Sequence, residues 1–136
     1  MIFSDDSQTI SAIKPSLCTI LLHHHLWQMQ ILQQLMNNPN VWQDSELTGD
    51  KIVHLVGTNR TYIQQAAKQL GFANLSDMIN HRRIDYVCQQ LRKDPNTPVQ
   101  TLFIDAGYRS RTTDWRHFSN IVGCTPREFV ERHANN

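Results

Sequence analysis

Cysteine is scarce in this 136-residue sequence: Cys18, Cys88 and Cys124 are odd in number and form no CxxC pair, which argues against a disulfide framework and against a four-ligand zinc site. Long apolar runs are missing too. The stretch Leu17 to Leu22 is too short to cross a bilayer, and the start MIFSDDSQTI has acids where a signal peptide carries a basic region. The reading is a soluble, reducing compartment, the cytoplasm, with no direct membrane insertion of this segment; the cytoplasmic end of a membrane-anchored parent would look the same. No GxSxG elbow is present, and a trio such as Asp105, His117 and Ser119 occurs in any chain of this size, so no catalytic residue is assigned and the chain is read as a non-enzyme. The rings of His23, His24 and His25 are adjacent in the chain and do not converge on one ion. No metal ligand and no cofactor is expected.

Net charge is the last scarcity, at +1. Taken as an average it disfavours an anionic partner, but the average hides an asymmetry. Residues 1 to 50 carry one basic and five acidic groups, a balance of −4, whereas residues 51 to 136 carry twelve Lys+Arg against seven Asp+Glu, a balance of +5. The second segment therefore points toward an anionic partner. With 40% hydrophobic and 18% charged residues, the chain can bury a core.

What the sequence does contain is regular punctuation. Residues 1 to 25 lack sustained periodicity and read as a poorly ordered leader or linker, leaving 26 to 136 as the folded domain. A first helix is expected from Leu26 to about Asn37, with Leu26, Met29, Leu32, Gln33 and Met36 on one face, stopped by Asn38 and Pro39. Ile52, Val53, Leu55 and Val56 form a short helix closed by Gly57, and Thr58 or Asn59 caps the next, whose buried face is Tyr62, Ile63, Ala66, Ala67 and Leu70. A long helix follows over about 75 to 93. Thr97-Pro98-Val99-Gln100 has the parts of a capping box with a proline start, a further helix runs from about Ser110 to Val122, and Thr125-Pro126-Arg127-Glu128 opens a terminal helix over about 126 to 132. Nothing alternates with period two over a useful length, so the fold class is all-α, with about seven helices.

The segments at about 50 to 71 and 98 to 123 share one plan: short apolar helix, glycine, polar cap, longer helix, glycine. Each reads as a helix-turn-helix, and the long helix joins them. At 1.5 Å per residue a 19-residue helix is ~28 Å long, close to the ~34 Å after which the major groove returns to the same face.

On these residues the chain resembles the DNA-binding domain of the AraC/XylS (arabinose-operon regulator) family of bacterial transcription factors, from about Asp44 to Arg132. The resemblance is carried by VGTNRTYI (56 to 63), INHRRIDYVCQQL (79 to 91), AGYRSRTT (106 to 113) and GCTPREF (123 to 129). The GTNRTY form is similar to the variant common in Bacteroidetes regulators, where this domain often ends a longer sensor protein. The resemblance implies a homeodomain-like helical fold and a sequence-specific regulator module that reads double-stranded DNA in two successive major grooves. A homodimer, or a sensor domain outside this chain, stays open as a further partner.

Carried over residue by residue, the base-reading candidates are Arg60, Thr61, Gln64 and Gln65 in the first unit and Arg111, Thr112, Thr113 and Arg116 in the second. Arginine can bond guanine O6 and N7 and glutamine adenine N6 and N7. Lys68, Arg82, Arg83, Lys93, Arg109 and Arg127 are the phosphate-contact candidates, with an internal ion pair to Asp85 or Asp105 as the alternative for Arg83. Cys88 and Cys124 are read as small core residues.

The sequence also departs from the family pattern. Ala67 stands at a bulky position and Phe103 at a small one, a swap that compensates in volume if the two share a core. Asp114 occupies an apolar core position four before Phe118, and Ser119 stands for the usual lysine. Trp115 shares a helical face with Phe118 and Val122; if it takes the core place, the helix is rotated and its base-reading set changes. The alternative function is therefore a degenerate helix-turn-helix pair acting as a protein-interaction module.

Overall fold

The computed structural model describes residues 17–109 and 111–134; within these, the side chains of 17–22, 24, 25, 111–113 and 134 lie outside what is described. Of the 1–25 segment, residues 1–16 fall outside as well, as do Ser110 and residues 135 and 136. Eight helices and no strand are present among the described residues: α1 (Leu17–Met36), α2 (Pro39–Trp42), α3 (Gly49–Val56), α4 (Arg60–Gln69), α5 (Leu75–Lys93), α6 (Val99–Asp105), α7 (Arg111–Val122) and α8 (Pro126–Ala134).

The all-α class holds, with three local corrections. α1 starts at Leu17 rather than Leu26, because neither glycine nor proline interrupts the sequence between Pro15 and Pro39 and a histidine run is compatible with a helix. Its buried stripe is Gln28, Leu32 and Met36, each four residues from the last, while Leu26 is 48% exposed. Asn38 and Pro39 end α1 and also begin α2: the Asn38 side chain accepts from the Asn40 N–H at 3.1 Å, and proline takes the first helical position. At α6 the expected capping box does not form. Pro98, at ψ 124°, is itself the N-cap, no side chain caps the helix, and the Pro98 carbonyl accepts from the N–H groups of Thr101 and Leu102.

Elsewhere the caps read from sequence are in place. Asn59 Oδ1 accepts from the Tyr62 N–H at 3.1 Å, and Thr125 Oγ1 from the Glu128 N–H at 3.2 Å. Each such cap is worth about 1 kcal/mol.

The core has two halves with α5 as their common wall. Leu75, Met78 and Ile79 join α1, α3 and α4 in the first, around Leu32, Ile52 and Ile63. Ile84, Val87, Cys88 and Leu91 join α6, α7 and α8 in the second, around Phe103, Phe118 and Phe129. Ala67 lies in the first half and Phe103 in the second. They share no core, so the one does not compensate for the other. Phe103 instead packs within the second half alone, its ring 5.9 Å from Tyr108 and 6.2 Å from Phe118 between centroids. Cys88 and Cys124 are buried free thiols, and burial pushes the Cys88 thiol up to about 11, which keeps it protonated and inert at neutral pH.

Between the two apolar halves α5 is polar, and there Arg82 and Arg83 tie it to the first two helices. Arg82 Nε donates to the Met36 carbonyl at 3.0 Å, and its Nη1 meets Asp85 at 2.9 Å. Arg83 Nε donates to the Trp42 carbonyl at 2.8 Å and its Nη2 to the Asp44 carbonyl at 3.0 Å. These acceptors are at and just beyond the ends of α1 and α2, where helices leave carbonyls without intrahelical partners.

Candidate nucleic-acid interface

The first unit turns at Gly57, which takes φ +77° and donates its N–H to the Val53 carbonyl at 2.9 Å. α4 then buries Ile63, Ala66 and Ala67 and turns Arg60, Thr61, Gln65 and Lys68 outward. Tyr62, expected inside, is 37% exposed, because the buried stripe runs through Ile63, Ala66 and Ala67 and leaves position 62 at its edge.

Gln64 is different from its neighbours. It is half-buried, and its Oε1 accepts the Leu75 N–H at 2.8 Å. Leu75 opens α5, so this amide holds α4 against the long helix. Arg60 pairs with Asp50 at 3.0 Å, but both side chains are well exposed, and such a pair is worth about 0–1 kcal/mol. Its guanidinium can leave that partner for an anion at little cost.

The second unit turns at Gly107, φ +104°. Here glycine is required twice over: a Cβ would stand 2.9 Å from the Trp42 carbonyl oxygen, 3.0 Å from that of Gln43 and 3.1 Å from Arg83 Nε. Tyr108 follows, its hydroxyl donating to Asn80 Oδ1 at 3.1 Å while the Arg83 guanidinium lies 5.4 Å above its ring. α5 thus grips the second turn through the same arginine that holds α2.

In α7 the structure overturns one reading of the sequence. Asp114 is 1% exposed, Phe118 is fully buried, and Trp115 is 39% exposed. Trp115 does not take the core place, so the helix is not rotated on its account. The carboxylate is accommodated at the first turn of a helix, where the dipole favours an anion, and Asp114 Oδ1 accepts the Trp115 N–H at 2.7 Å. Arg116 is exposed. The side chains of Arg111, Thr112 and Thr113 lie outside the described set, although their backbone forms the start of α7. His117 is half-buried, with its ring 5.7 Å from that of Tyr108; burial first, and the Arg116 charge second, hold its pKa below the ordinary histidine value.

Both α4 and α7 border α5 along one line. A groove of about 250 Å³ between α4 and α5 is lined by Arg60, Gln64, Ser76 and Asn80 among others. A second of about 300 Å³, between α5 and α7, is lined by Ser76, Asn80, His117 and Asn120 among others. Ser76 and Asn80, one turn apart, line both, so α4 and α7 flank the same side of the N-terminal half of α5.

The phosphate candidates divide by geometry. Lys68 and Lys93 are exposed and without an ion-pair partner among the described residues. Arg109 pairs with Glu46, and Arg127 with Glu131 at 3.3 Å, on open surface. Arg82 and Arg83 are turned inward, and the ion pair with Asp85 considered for Arg83 belongs to Arg82. Burial lowers the Arg83 pKa from its ordinary value. One contact beside the first turn escapes a reading of composition. Gln28, fully buried on α1, donates to Thr58 Oγ1 in the first turn; its spacing from Leu32 and Met36 was the available signal. No group of His, Cys, Asp and Glu able to hold a metal occurs among the described residues, and none of their helices is long and apolar enough to cross a membrane.

Residues 52–132 match the family of helix-turn-helix domains, a span that takes in both units, α5 and most of α8. Among solved structures, the C-terminal domain of AraT, a response regulator from Geobacillus stearothermophilus, is similar in fold, with a TM-score of 0.67 at 14% identity over 77% of this chain and 84% of that one. No curated protein matches the sequence.

Proposed function

The chain belongs to the AraC-type helix-turn-helix family, a DNA-binding module of transcription regulators, and on that premise we propose that it reads two successive major grooves of double-stranded DNA, one with α4 and one with α7. The observation that carries the reading is the common border: both helices flank Ser76 and Asn80 of one 19-residue helix, so a single rigid strut carries both on the same side. Arg60, Thr61 and Gln65 read bases in the first groove, and Arg111, Thr112, Thr113 and Arg116 in the second. Gln64, committed to Leu75, positions the helix beside them.

Lys68, Lys93, Arg109 and Arg127 meet phosphates, so that affinity comes mainly from counterion release and falls steeply with salt. The module works without catalysis or cofactor, in the cytoplasm, as the C-terminal part of a larger sensor-regulator or as a homodimer; the similar AraT domain is itself the C-terminal domain of a response regulator. A protein-interaction role is motivated by Asp114 and by the modest basic excess; the first motive weakens because the carboxylate is buried at 1% exposure and takes no place on the outer surface of α7.

Selection of bound duplexes from a random pool tests the reading. The wild type is expected to enrich a two-part site one helical turn apart, and Arg116→Ala to relax preference in one part only. Absence of duplex binding at low salt by a folded, helical protein would transfer the module to protein interaction.

A further inference from the structure

Trp115 stands next to Asp114 in α7, yet 39% of its surface remains exposed while the smaller, charged neighbour is buried. One side of the indole rests on the fully buried Phe103, at a centroid distance of 6.3 Å and an interplanar angle of 54°. The ring is thus anchored on the rim of the second core with part of its surface in solvent. The next residue on the helix is Arg116, exposed and without an ion-pair partner among the described residues. A partly exposed aromatic ring, fixed by its neighbour and set beside a free cation, suits a surface that alternates phosphates with one apolar group. In the major groove that group is the C5 methyl of thymine, since the remaining base-edge groups there are hydrogen-bond donors or acceptors.

We propose that Trp115 is a specificity-determining residue of the second reading helix, its indole packing against a thymine methyl in the half-site that α7 reads. The proposal rests on the two-groove reading above and names the base chemistry of its second half. Because Phe103 holds the ring before DNA arrives, little side-chain freedom is lost on binding, and the methyl contact adds selectively for A·T over G·C at that step. The neighbouring Arg116 supplies the polar contact that an indole cannot.

The test uses the full chain and a duplex selected from the random pool, with the α7 half-site identified by its loss of preference in Arg116→Ala. Each thymine of that half is replaced in turn by deoxyuridine, which removes only the methyl. One replacement is expected to weaken wild-type binding about fourfold, the equivalent of one buried methyl group. Trp115→Ala should bind the thymine and deoxyuridine duplexes equally. Trp115→Phe, which keeps an apolar ring on Phe103, should retain part of the difference, and helical spectra with melting curves confirm that both variants are folded. The proposal is overturned if the wild type ignores every replacement in that half, or if Trp115→Ala keeps the wild-type sensitivity. In either case the exposed indole belongs to a protein contact. A wild type that binds no duplex at all fails the two-groove reading itself, whereas one that binds tightly and ignores the methyl fails this assignment alone.

Discussion

Gln28 on α1 donates its side-chain N–H to the hydroxyl of Thr58, and so a buried amide thirty residues away in the chain holds the turn that leads into α4. Gln28→Leu is expected to destabilise the fold by about 1–3 kcal/mol, the range for losing a buried hydrogen-bond partner. A double-mutant cycle with Thr58→Val, followed by urea denaturation, should give a coupling energy of about 0.5–1.5 kcal/mol. In duplex selection the Gln28 variant should blur the half-site read by α4 and leave the other sharp. Additive effects of the two substitutions would mean that the pair does not act as a unit.

Two basic residues that look alike in sequence should separate cleanly. Arg83→Met removes charge-assisted bonds to the Trp42 and Asp44 carbonyls and should cost at least about 2 kcal/mol of stability; Arg83→Lys should not restore it, because an ammonium cannot fork to both acceptors. Lys68→Ala, on open surface, should change stability by less than about 0.5 kcal/mol and lower the salt slope of DNA binding by about one. Denaturation and salt titration of both variants measure the contrast. An Arg83 variant with native stability and a reduced slope would reverse the assignment.

The two turn glycines are unequal. Gly57→Ala meets only the left-handed backbone, since nothing lies within 4 Å of its Cβ position, and should cost about 1–2 kcal/mol. Gly107→Ala adds overlap with the Trp42 and Gln43 carbonyls at 2.9 and 3.0 Å and should cost clearly more, with loss of the second turn's geometry. Equal melting temperatures for the two variants would contradict the close approach.

The pH dependence of stability carries a sign set by His117. Its pKa is lowered in the fold, chiefly by burial and then by Arg116, so on acidification the unfolded chain takes up this proton first. The contribution is fully present above the ordinary histidine value of about 6.5 and is lost as pH falls from there toward the lowered folded value. Melting curves between pH 8 and 5 should show a smaller loss for His117→Gln than for the wild type. A larger loss in the variant would mean that the folded ring prefers its charged form.

Helix ends, the repeat and the family motif were legible in the sequence because they are local. Glycine at 57, 71, 107 and 123 takes positive φ, and Asn59 and Thr125 cap helices whose free N–H groups lie three residues on. Proline misled twice for the same local reason: Pro39 both stops and starts a helix, and Pro98 became the cap itself instead of the residue after it.

What the sequence determined by itself is an all-helical pair of turn-bearing units on a long helix, since spacing and backbone preference act within a few residues. The apolar faces of the two central helices were legible as well, but which polar and aromatic side chains meet the core was decided only in three dimensions. Asp114 went in and Trp115 stayed out, Gln28 and Gln64 became braces, and Arg82 and Arg83 turned to carbonyls more than thirty-five residues away. A polar or charged side chain carries no inward or outward label in the sequence. It is buried where a distant backbone group or a helix terminus satisfies it, and that partner exists only once the chain has folded.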